Sequence, residues 1–384
     1  MTINIKYYFL FFNFIIIFKI HSFIRKSILI NYKEYISKSK SFFKLNKNKP
    51  INYKNPFITI CMPVYNMEKY IERALLSIIN QSFQNFEIVV VNDNSKDKTI
   101  NIIQRLQSKD SRIKILNHKI NLGVYSSRFE SILYSKGEYI LLMDPDDMIL
   151  NQNLFQELFN YNLNYNFDTI EFSVYYQKEK RKNIYLPKEN IFNHYHSFKK
   201  NIIYQPELSN ILFHKPNSNN YSEIICRTIW NKLYKKKILI KTLNYIEKEF
   251  HNQFLVASDD TPINMIHFQF SNNYSNIFLP GYLYNLRENS MSNNFMNINH
   301  LKTISINYLL CFKLFYRYVK DFNKDLNYLY YDLKSFSIYL LKIKELKIIE
   351  YIPKLKELLY NIINNRYISE EFRSFINKLN NSIS

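Results

Sequence analysis

Three aspartates follow a short apolar segment near the middle of the chain. Residues 139–143 read YILLM, and Asp144, Asp146 and Asp147 come directly after them. Like charges at this spacing repel one another and lose hydration near a core, so stability alone does not explain them. Residues i and i+2 of an extended segment project to the same side. The pattern predicts oxygen ligands for Mg²⁺ or Mn²⁺, with the metal bridging to a diphosphate.

A purely structural alternative exists for the same residues. Pro145 favours a turn, and Asp147 could serve as the N-cap of a helix that begins at Met148. Asp144 would then belong to a solvated turn. The spacing of the aspartates favours the metal site over this alternative.

Strands and helices are predicted to alternate around these aspartates. Apolar and β-branched runs predict strands at 58–62, 87–91, 112–116 and 139–143, and helical spacing predicts helices at 67–80, 98–107 and 124–135. This order predicts an α/β layer with a mainly parallel sheet. Ligands bind beyond the carboxyl ends of the strands in such sheets. We therefore expect the polar segments at 63–66, 92–95 and 144–147 to form one site.

Composition narrows the class of protein. The chain has 384 residues, a net charge of +20 and three glycines, too few for a Gly-rich phosphate loop. Because the lysines are spread out and no aromatic-and-basic module is visible, we expect no nucleic-acid partner. The three cysteines lie far apart and none is in a CxxC, which favours free thiols over a zinc site or a disulfide.

The N-terminal segment is apolar, with YYFLFFNFIIIF at 7–18. A membrane-spanning helix needs about 20 mostly apolar residues, and extension to Ile24 approaches that length. No small-residue cleavage site follows, so we expect a retained single-pass anchor in 1–26 and a polar linker in 27–56. An interfacial or buried helix is the alternative. The flanking lysines and arginines favour a cytosolic body only by a small margin, so the side of the membrane stays open.

The second half of the chain adds further candidates. Asp259 and Asp260 precede an amphipathic segment with Pro262, a pattern typical of a helix N-terminus that could also present a general base. Trp230, the only Trp, could pack against the first half or stack on a sugar. From about residue 301 the pattern is helical and predicts a C-terminal helical cap, with a basic surface resting on lipid as the alternative.

Together these residues resemble a known family. PVYNMEKYIERALLSIINQSFQNFEIVVVNDNSKD at 63–97 is similar to the opening of family 2 glycosyltransferases, which have the GT-A fold. NLGVYSSR at 121–128 and KGEYILLMDPDD at 136–147 fit the same pattern in order and spacing. RTIWNKLYKKKIL at 227–239, the segment around Asp259 and YNLRENSMSN from Tyr284 are weaker matches to bacterial-type members. One departure is Asn92 before Asp93, where the family usually has two aspartates.

The resemblance implies a role for each matching residue. Asp260 would be the catalytic base. Nucleotide or donor contacts would come from Pro63, Tyr65, Asp93, Asn121, Arg128 and Asp144. Tyr65 would stack on the base, and Asp93 would hydrogen-bond to that base, which is usually uracil in this family. Asp144 and Asp146 would be the DxD pair that meets ribose and metal. Asp259, Trp230 and Arg287 would lie on the acceptor side, and Asn231 is a weaker candidate for substrate contact.

The resemblance also implies an activity and an organisation. We expect an inverting, Mn²⁺- or Mg²⁺-dependent transfer of a sugar from a UDP-linked donor to a hydroxyl of a glycan, lipid-linked or protein acceptor. The alternatives are an enzyme of the same sheet that releases pyrophosphate, and a catalytically silent nucleotide-sugar-binding protein at a membrane surface. Residues 57–165 would be the nucleotide-sugar-binding half, 166–295 the acceptor-side half and 296–384 the helical region.

Overall fold

The structure is a computed structural model that describes residues 55–178, 202–205, 208, 228–250, 255, 260–287, 298–324, 352–364 and 369–383. The expected anchor in 1–26 and nearly all of the expected linker lie outside these residues. Within the described ranges, no helix is both long enough and apolar enough to cross a membrane.

The described elements alternate along the first half as the sequence predicts. The strands are β1 (Ile58–Val64), β2 (Phe86–Asn92), β3 (Ile113–Asn117), β4 (Tyr139–Leu142), β5 (Met148–Ile149), β6 (Thr169–Lys178), β7 (Ile202–Tyr204), β8 (Lys232–Lys235) and β9 (Asn273–Leu286). The helices are α1 (Ile71–Ile79), α2 (Thr99–Gln107), α3 (Val124–Tyr134), α4 (Leu154–Tyr165), α5 (Lys236–Phe250), α6 (Asp260–Phe270), α7 (Ile298–Asp321), α8 (Ile352–Ile363) and α9 (Glu370–Ile383).

The strands of the described residues form one nine-stranded sheet. Its order is β3-β2-β1-β4-β8-β6-β9-β5, and β7 pairs with β9. The first four strands are parallel, as predicted. Strand β8 joins β4 in the antiparallel direction, so the sheet continues from the first half of the chain into the second.

Alternation along the strands produces two apolar cores, one on each face of the sheet. Ile58, Ile60 and Met62 of β1 contribute to the core that α1, α2 and α4 cover. Cys61 lies in the other core, which helix α3 and the helices of the second half cover. The period of two along a strand therefore explains the three-layer arrangement. Cys61 and Cys311 are free and buried, as expected of isolated cysteines.

Three features of the local structure differ from those considered in the sequence analysis. Helix α1 begins at Ile71 and not at Met67. Strand β1 continues through Pro63, which pairs with Val91 of β2, whereas the paired residues of β4 end at Leu142 beside Cys61. Proline is tolerated there because the missing N–H faces no strand. Met148 begins a short strand that pairs with β9, not a helix.

The C-terminal region is helical where it is described, in agreement with the sequence pattern. Pro353 is the second residue of α8 and is exposed. A proline is accommodated in the first turn because the N–H groups of that turn have no partner within the helix. Pro353 therefore stands at the start of a helix and does not interrupt one.

Candidate active site

The carboxyl ends of the parallel strands carry most of the predicted site residues. Tyr65 follows β1 directly and is 42% exposed, so its ring is open to solvent. Asp93 follows β2 and is buried, and its N–H donates to the Val64 carbonyl at the end of β1. Asp144 comes two residues after the end of β4. The strand-end rule therefore placed these three side chains correctly at one edge of the sheet.

Arg128 connects two of the predicted acids. Its Nη2 donates to Asp144 Oδ1 at 2.9 Å, and its Nη1 lies 3.6 Å from Asp260 Oδ1. The guanidinium is nearly buried, whereas both aspartate side chains are 28% exposed. One cation thus joins the strand-end aspartate to the predicted general base, which lies far away in sequence.

Local backbone geometry directs Arg128 into the site. Helix α3 begins after Gly123, whose φ of 90° is accessible to glycine but strained for other residues. A Cβ at Gly123 would lie 2.7 Å from the Leu255 carbonyl oxygen. The Asn121 side chain accepts the Gly123 N–H at 3.0 Å. In this structure Asn121 therefore shapes the turn that begins the Arg128 helix.

Asp146 is held by two arginines. The Arg287 Nε donates to the Asp146 carboxylate, and the Arg73 Nη2 donates to its backbone carbonyl at 2.8 Å. Both guanidiniums lie 5.1 Å from the centre of the Tyr70 ring. Burial and the neighbouring Asp144 raise the pKa of Asp146, and Arg287 opposes that rise. Arg287, predicted on the acceptor side, thus contacts the second aspartate of the predicted DxD pair.

Asp147 has a structural role. Its carboxylate accepts the Tyr282 hydroxyl at 2.6 Å and the Asn285 N–H at 2.8 Å. Burial, Asp146 and Asp144 together raise the pKa of Asp147 well above its ordinary value. The alternative role as a helix cap was wrong, because a strand begins at Met148 and the carboxylate accepts hydrogen bonds from β9 instead.

Asp260 occupies the first position of α6, and Pro262 lies in its first turn. The positive end of a helix dipole favours an acid at this position. The helix thus presents the carboxylate toward Arg128 from the second half of the chain. Asp259 lies outside the described residues.

Trp230 and Asn231 are buried. The Trp230 ring stacks on Tyr282 at 5.1 Å and on Tyr284 at 4.9 Å. Asn231 donates to Glu171 at 3.2 Å and accepts from Lys232 at 2.9 Å. Both residues were candidates for substrate contact, but this structure gives Trp230 a packing role and Asn231 a place in a buried polar network.

The donor set fits a hard divalent cation. Asp144 and Asp146 supply carboxylate oxygens from side chains that retain partial exposure, 28% and 13%. Mg²⁺ sites use one or two carboxylates together with substrate phosphates, so a third protein ligand is not required. The described residues contain no cluster of three or more acids, histidines and cysteines arranged for a metal. Asp147 does not join the pair, since its oxygens accept from Tyr282 and Asn285.

Sequence reasoning missed several residues at this edge. His118 comes directly after β3 and contacts Asp93, so the strand-end rule would have found it had we applied it to the third strand. Tyr282, Tyr70 and Arg73 carry no local signal. Their positions depend on pairing between distant strands and on helix packing.

The fold and the site together define a class of protein. A sheet that is parallel in its first half, with paired acids beyond the carboxyl ends, is the arrangement we expect of a GT-A-type glycosyltransferase. The solved structure of Staphylococcus aureus TarS residues 1–349 in complex with UDP-GlcNAc superposes with a TM-score of 0.54. The match is 18% identical and covers 85% of this chain and 88% of that one, which shows a shared fold.

Two relatives that carry the name glycosyltransferase are similar to parts of this chain. An uncharacterized glycosyltransferase of Haemophilus influenzae is 41% identical over 103 residues, 27% of this chain and 41% of the relative. The uncharacterized glycosyltransferase EpsJ of Bacillus subtilis is 24% identical over 237 residues, 62% of this chain and 63% of the relative. The chain thus covers less than two thirds of either relative. Residues 59–243, just under half of the chain, match the family model described as "Glycosyl transferase family 2". The predicted resemblance is confirmed.

Proposed function

We propose that the chain is an inverting glycosyltransferase that moves a sugar from a UDP-linked donor to an acceptor hydroxyl. The observation that carries the proposal is the position of Arg128 between Asp144 and Asp260, 2.9 and 3.6 Å away. It brings a predicted donor-binding acid and a predicted general base within the span of one guanidinium. Transfer in a single displacement needs the donor and the general base to be held close together.

Residues of the first half would bind the donor. Tyr65 offers its exposed ring to the base, and Asp93 offers a carboxylate beyond β2. Asp144 and Asp146 would hold Mn²⁺ or Mg²⁺, which when bound supplies positive charge against the leaving diphosphate. Arg128 and Arg287 already pair with these aspartates and can turn toward phosphate oxygens.

Asp260 would act on the acceptor. Its carboxylate takes the proton of the acceptor hydroxyl while the oxygen of that hydroxyl forms a bond to the anomeric carbon. The bond from that carbon to the phosphate oxygen breaks on the opposite face, and UDP leaves with the electron pair. A general base contributes about 10²- to 10⁴-fold to such a step.

The acceptor and the cellular location are parts of the same proposal. A glycan, a lipid-linked saccharide or a protein would each supply a hydroxyl. An N-terminal anchor would hold the enzyme at a membrane, with a single pass in residues 1–26.

UDP release from a panel of UDP-sugars tests the proposal, using the full chain with Mn²⁺ and again with a chelator. Asp146→Asn is the matched inactive variant. We expect metal-dependent release from one donor, abolished in the variant. UDP binding without turnover of any donor, even with added glycan acceptors, would favour the catalytically silent alternative. Release of pyrophosphate from UTP and a sugar 1-phosphate, with no UDP released from any UDP-sugar, would favour the other enzyme class.

A further inference from the structure

His118 lies between two carboxylates at the edge of the site. Its Nδ1 is 2.7 Å from Asp93 Oδ1, and its Nε2 contacts the Glu130 carboxylate. The His118 side chain is 6% exposed, whereas that of Glu130 is 47% exposed. Both ring nitrogens therefore face acceptors. Only the doubly protonated imidazolium can donate to both at once.

Asp93 also accepts from the loop that follows His118. The Leu122 N–H donates to Oδ1 at 2.8 Å, and the Gly123 N–H donates to Oδ2 at 2.9 Å. Two carboxylate oxygens offer about four acceptor positions. His118, Leu122 and Gly123 occupy three of them, which leaves one on Oδ2 for a ligand.

We propose that His118, as an imidazolium, is a positioning residue for the nucleobase end of the donor site. It fixes Asp93 and the 118–123 loop so that a single acceptor on Asp93 Oδ2 meets an N–H donor of the base. This inference rests on the proposed function, because it assumes a nucleotide at this edge. His118 itself does not touch the nucleotide.

The charges around the ring favour its protonated form. Burial lowers the pKa of His118, but the hydrogen bonds and charges of Asp93 and Glu130 outweigh burial and raise it overall. Among the described residues, the charged groups that face the ring are Asp93 at the end of β2 and Glu130 on α3. A neutral ring would have to give up one of these two contacts.

Four versions of the full chain separate this role from a general effect on folding. His118→Asn keeps a neutral donor toward Asp93, and His118→Leu removes both donors. Glu130→Gln keeps both donors on His118 but removes one of its two anionic neighbours. The fourth version is the wild type. All four are first compared without nucleotide by hydrogen exchange of the 117–125 segment at pH 6 and pH 9.

After correction for intrinsic exchange, we expect the loop of the wild type to be less protected at pH 9 than at pH 6. His118→Leu should exchange faster at both pH values, and His118→Asn should show no difference beyond intrinsic exchange chemistry. Equal protection of the loop in the wild type and His118→Leu would overturn the proposed positioning. Exchange of the 55–64 segment reports global unfolding and identifies any variant that fails to fold.

UDP affinity is the second readout. Titration of the UDP phosphate is common to all four proteins, so the ratio of each variant to the wild type isolates His118. At pH 6 we expect UDP binding about tenfold weaker in His118→Asn than in the wild type, converging by pH 9, and weaker again in His118→Leu. In Glu130→Gln, UDP affinity should fall to that of His118→Asn at a lower pH than it does in the wild type. The reason is that the raised pKa of His118 depends on the Glu130 carboxylate.

The outcomes distinguish the two proposals. If the wild type binds no UDP at any pH, the proposed function fails, and a protonation-dependent loop would be only a structural device. If the wild type binds UDP but affinity is the same in His118→Leu at every pH, the function stands and the role of His118 is wrong.

Discussion

Two groups of paired charges differ in what surrounds them. Lys232 and Glu171 lie 3.3 Å apart with side chains 0% and 2% exposed. Lys232 also donates to the Thr228 carbonyl and to Asn231, and Tyr274 donates to Glu171. We call this set the closed network.

The second group is the open network, which consists of Arg128 with Asp144 and Asp260 and of Arg287 with Asp146. Its carboxylates keep between 13% and 28% of their side-chain surface exposed. A ligand can therefore reach them and replace a protein partner. The comparison suggests that a closed pair fixes the fold, whereas an open pair can exchange its partners during binding.

The largest effect on stability is expected in the closed network. Lys232→Met leaves the Glu171 carboxylate buried without its cation, which costs about 3–5 kcal/mol of unfolding free energy. Urea unfolding measures the loss. Adding Glu171→Leu to the same chain should recover most of it, since the unpaired charge is then gone.

The matched control is Arg105→Met, which breaks an ion pair with Glu72 whose side chains are about half exposed. Such pairs contribute about 0–1 kcal/mol. Equal losses in Lys232→Met and Arg105→Met would show that the closed network is not the stabilising element we infer.

The open network should respond in activity and hardly in stability. Asp260→Asn removes the proposed base and should lower kcat by about 10²- to 10⁴-fold. UDP affinity and the urea midpoint should stay close to those of the wild type. Asp321→Asn is the control, because Asp321 is an exposed acid near Arg317 on α7. Retained turnover in Asp260→Asn would exclude this residue as the base.

Two histidines, one in the buried core and one at the edge of the site, should make stability depend on pH with opposite signs. His267 of α6 is buried beside Thr169, and burial lowers its pKa to about 3. The unfolded value is about 6.5, so stability is complete above that pH and is lost as pH falls, by about 1.4 kcal/mol per unit. His267→Gln should flatten this slope in urea unfolding at pH 5–7.

His118 should show the opposite sign. Its folded pKa is raised above about 6.5, so its contribution to stability is complete below that value and is lost as pH rises through the folded pKa. His118→Asn should remove this loss at alkaline pH and leave the acidic slope in place. If His267→Gln and His118→Asn showed the same dependence of stability on pH, the opposite roles given to the two histidines would be contradicted.

The smallest effect is expected at the exposed aromatic ring. Tyr65→Leu should weaken UDP binding about two- to tenfold, because one stacking face is lost. Neither kcat at saturating donor nor the urea midpoint should change. Tyr134→Leu on α3, similarly exposed, is the control. An equal effect in both variants would show that Tyr65 does not stack on the base.

The first half of the chain was predicted well because short residue patterns determine its strands and helices. Apolar runs predicted β1 to β4, helical spacing predicted α1 to α3, and the strand-end rule found Tyr65, Asp93 and Asp144. The pairing of Asp146 with Arg287 could not be predicted, since it depends on how β9 returns to β5 across more than a hundred residues.

The burial of individual polar and aromatic side chains could not be predicted from the sequence either. Asn231 and Trp230 have the chemistry of ligand-binding residues, yet both lie in packed surroundings. The chemistry of a side chain determines which bonds it can form. Only the packing around it decides whether the partner is a substrate or another residue of the chain.

The continuous sheet limits how this chain could be recombined with its relatives. Leu141 of β4 pairs with Leu233 of β8, so the two halves share a hydrogen-bonded seam at the centre of the sheet. A chimera that exchanged the second half would have to inherit this register and the bridge between Gly123 and Leu255. Under the proposed function, new acceptor preferences would therefore arise more readily through changes in loops than through exchange of whole halves.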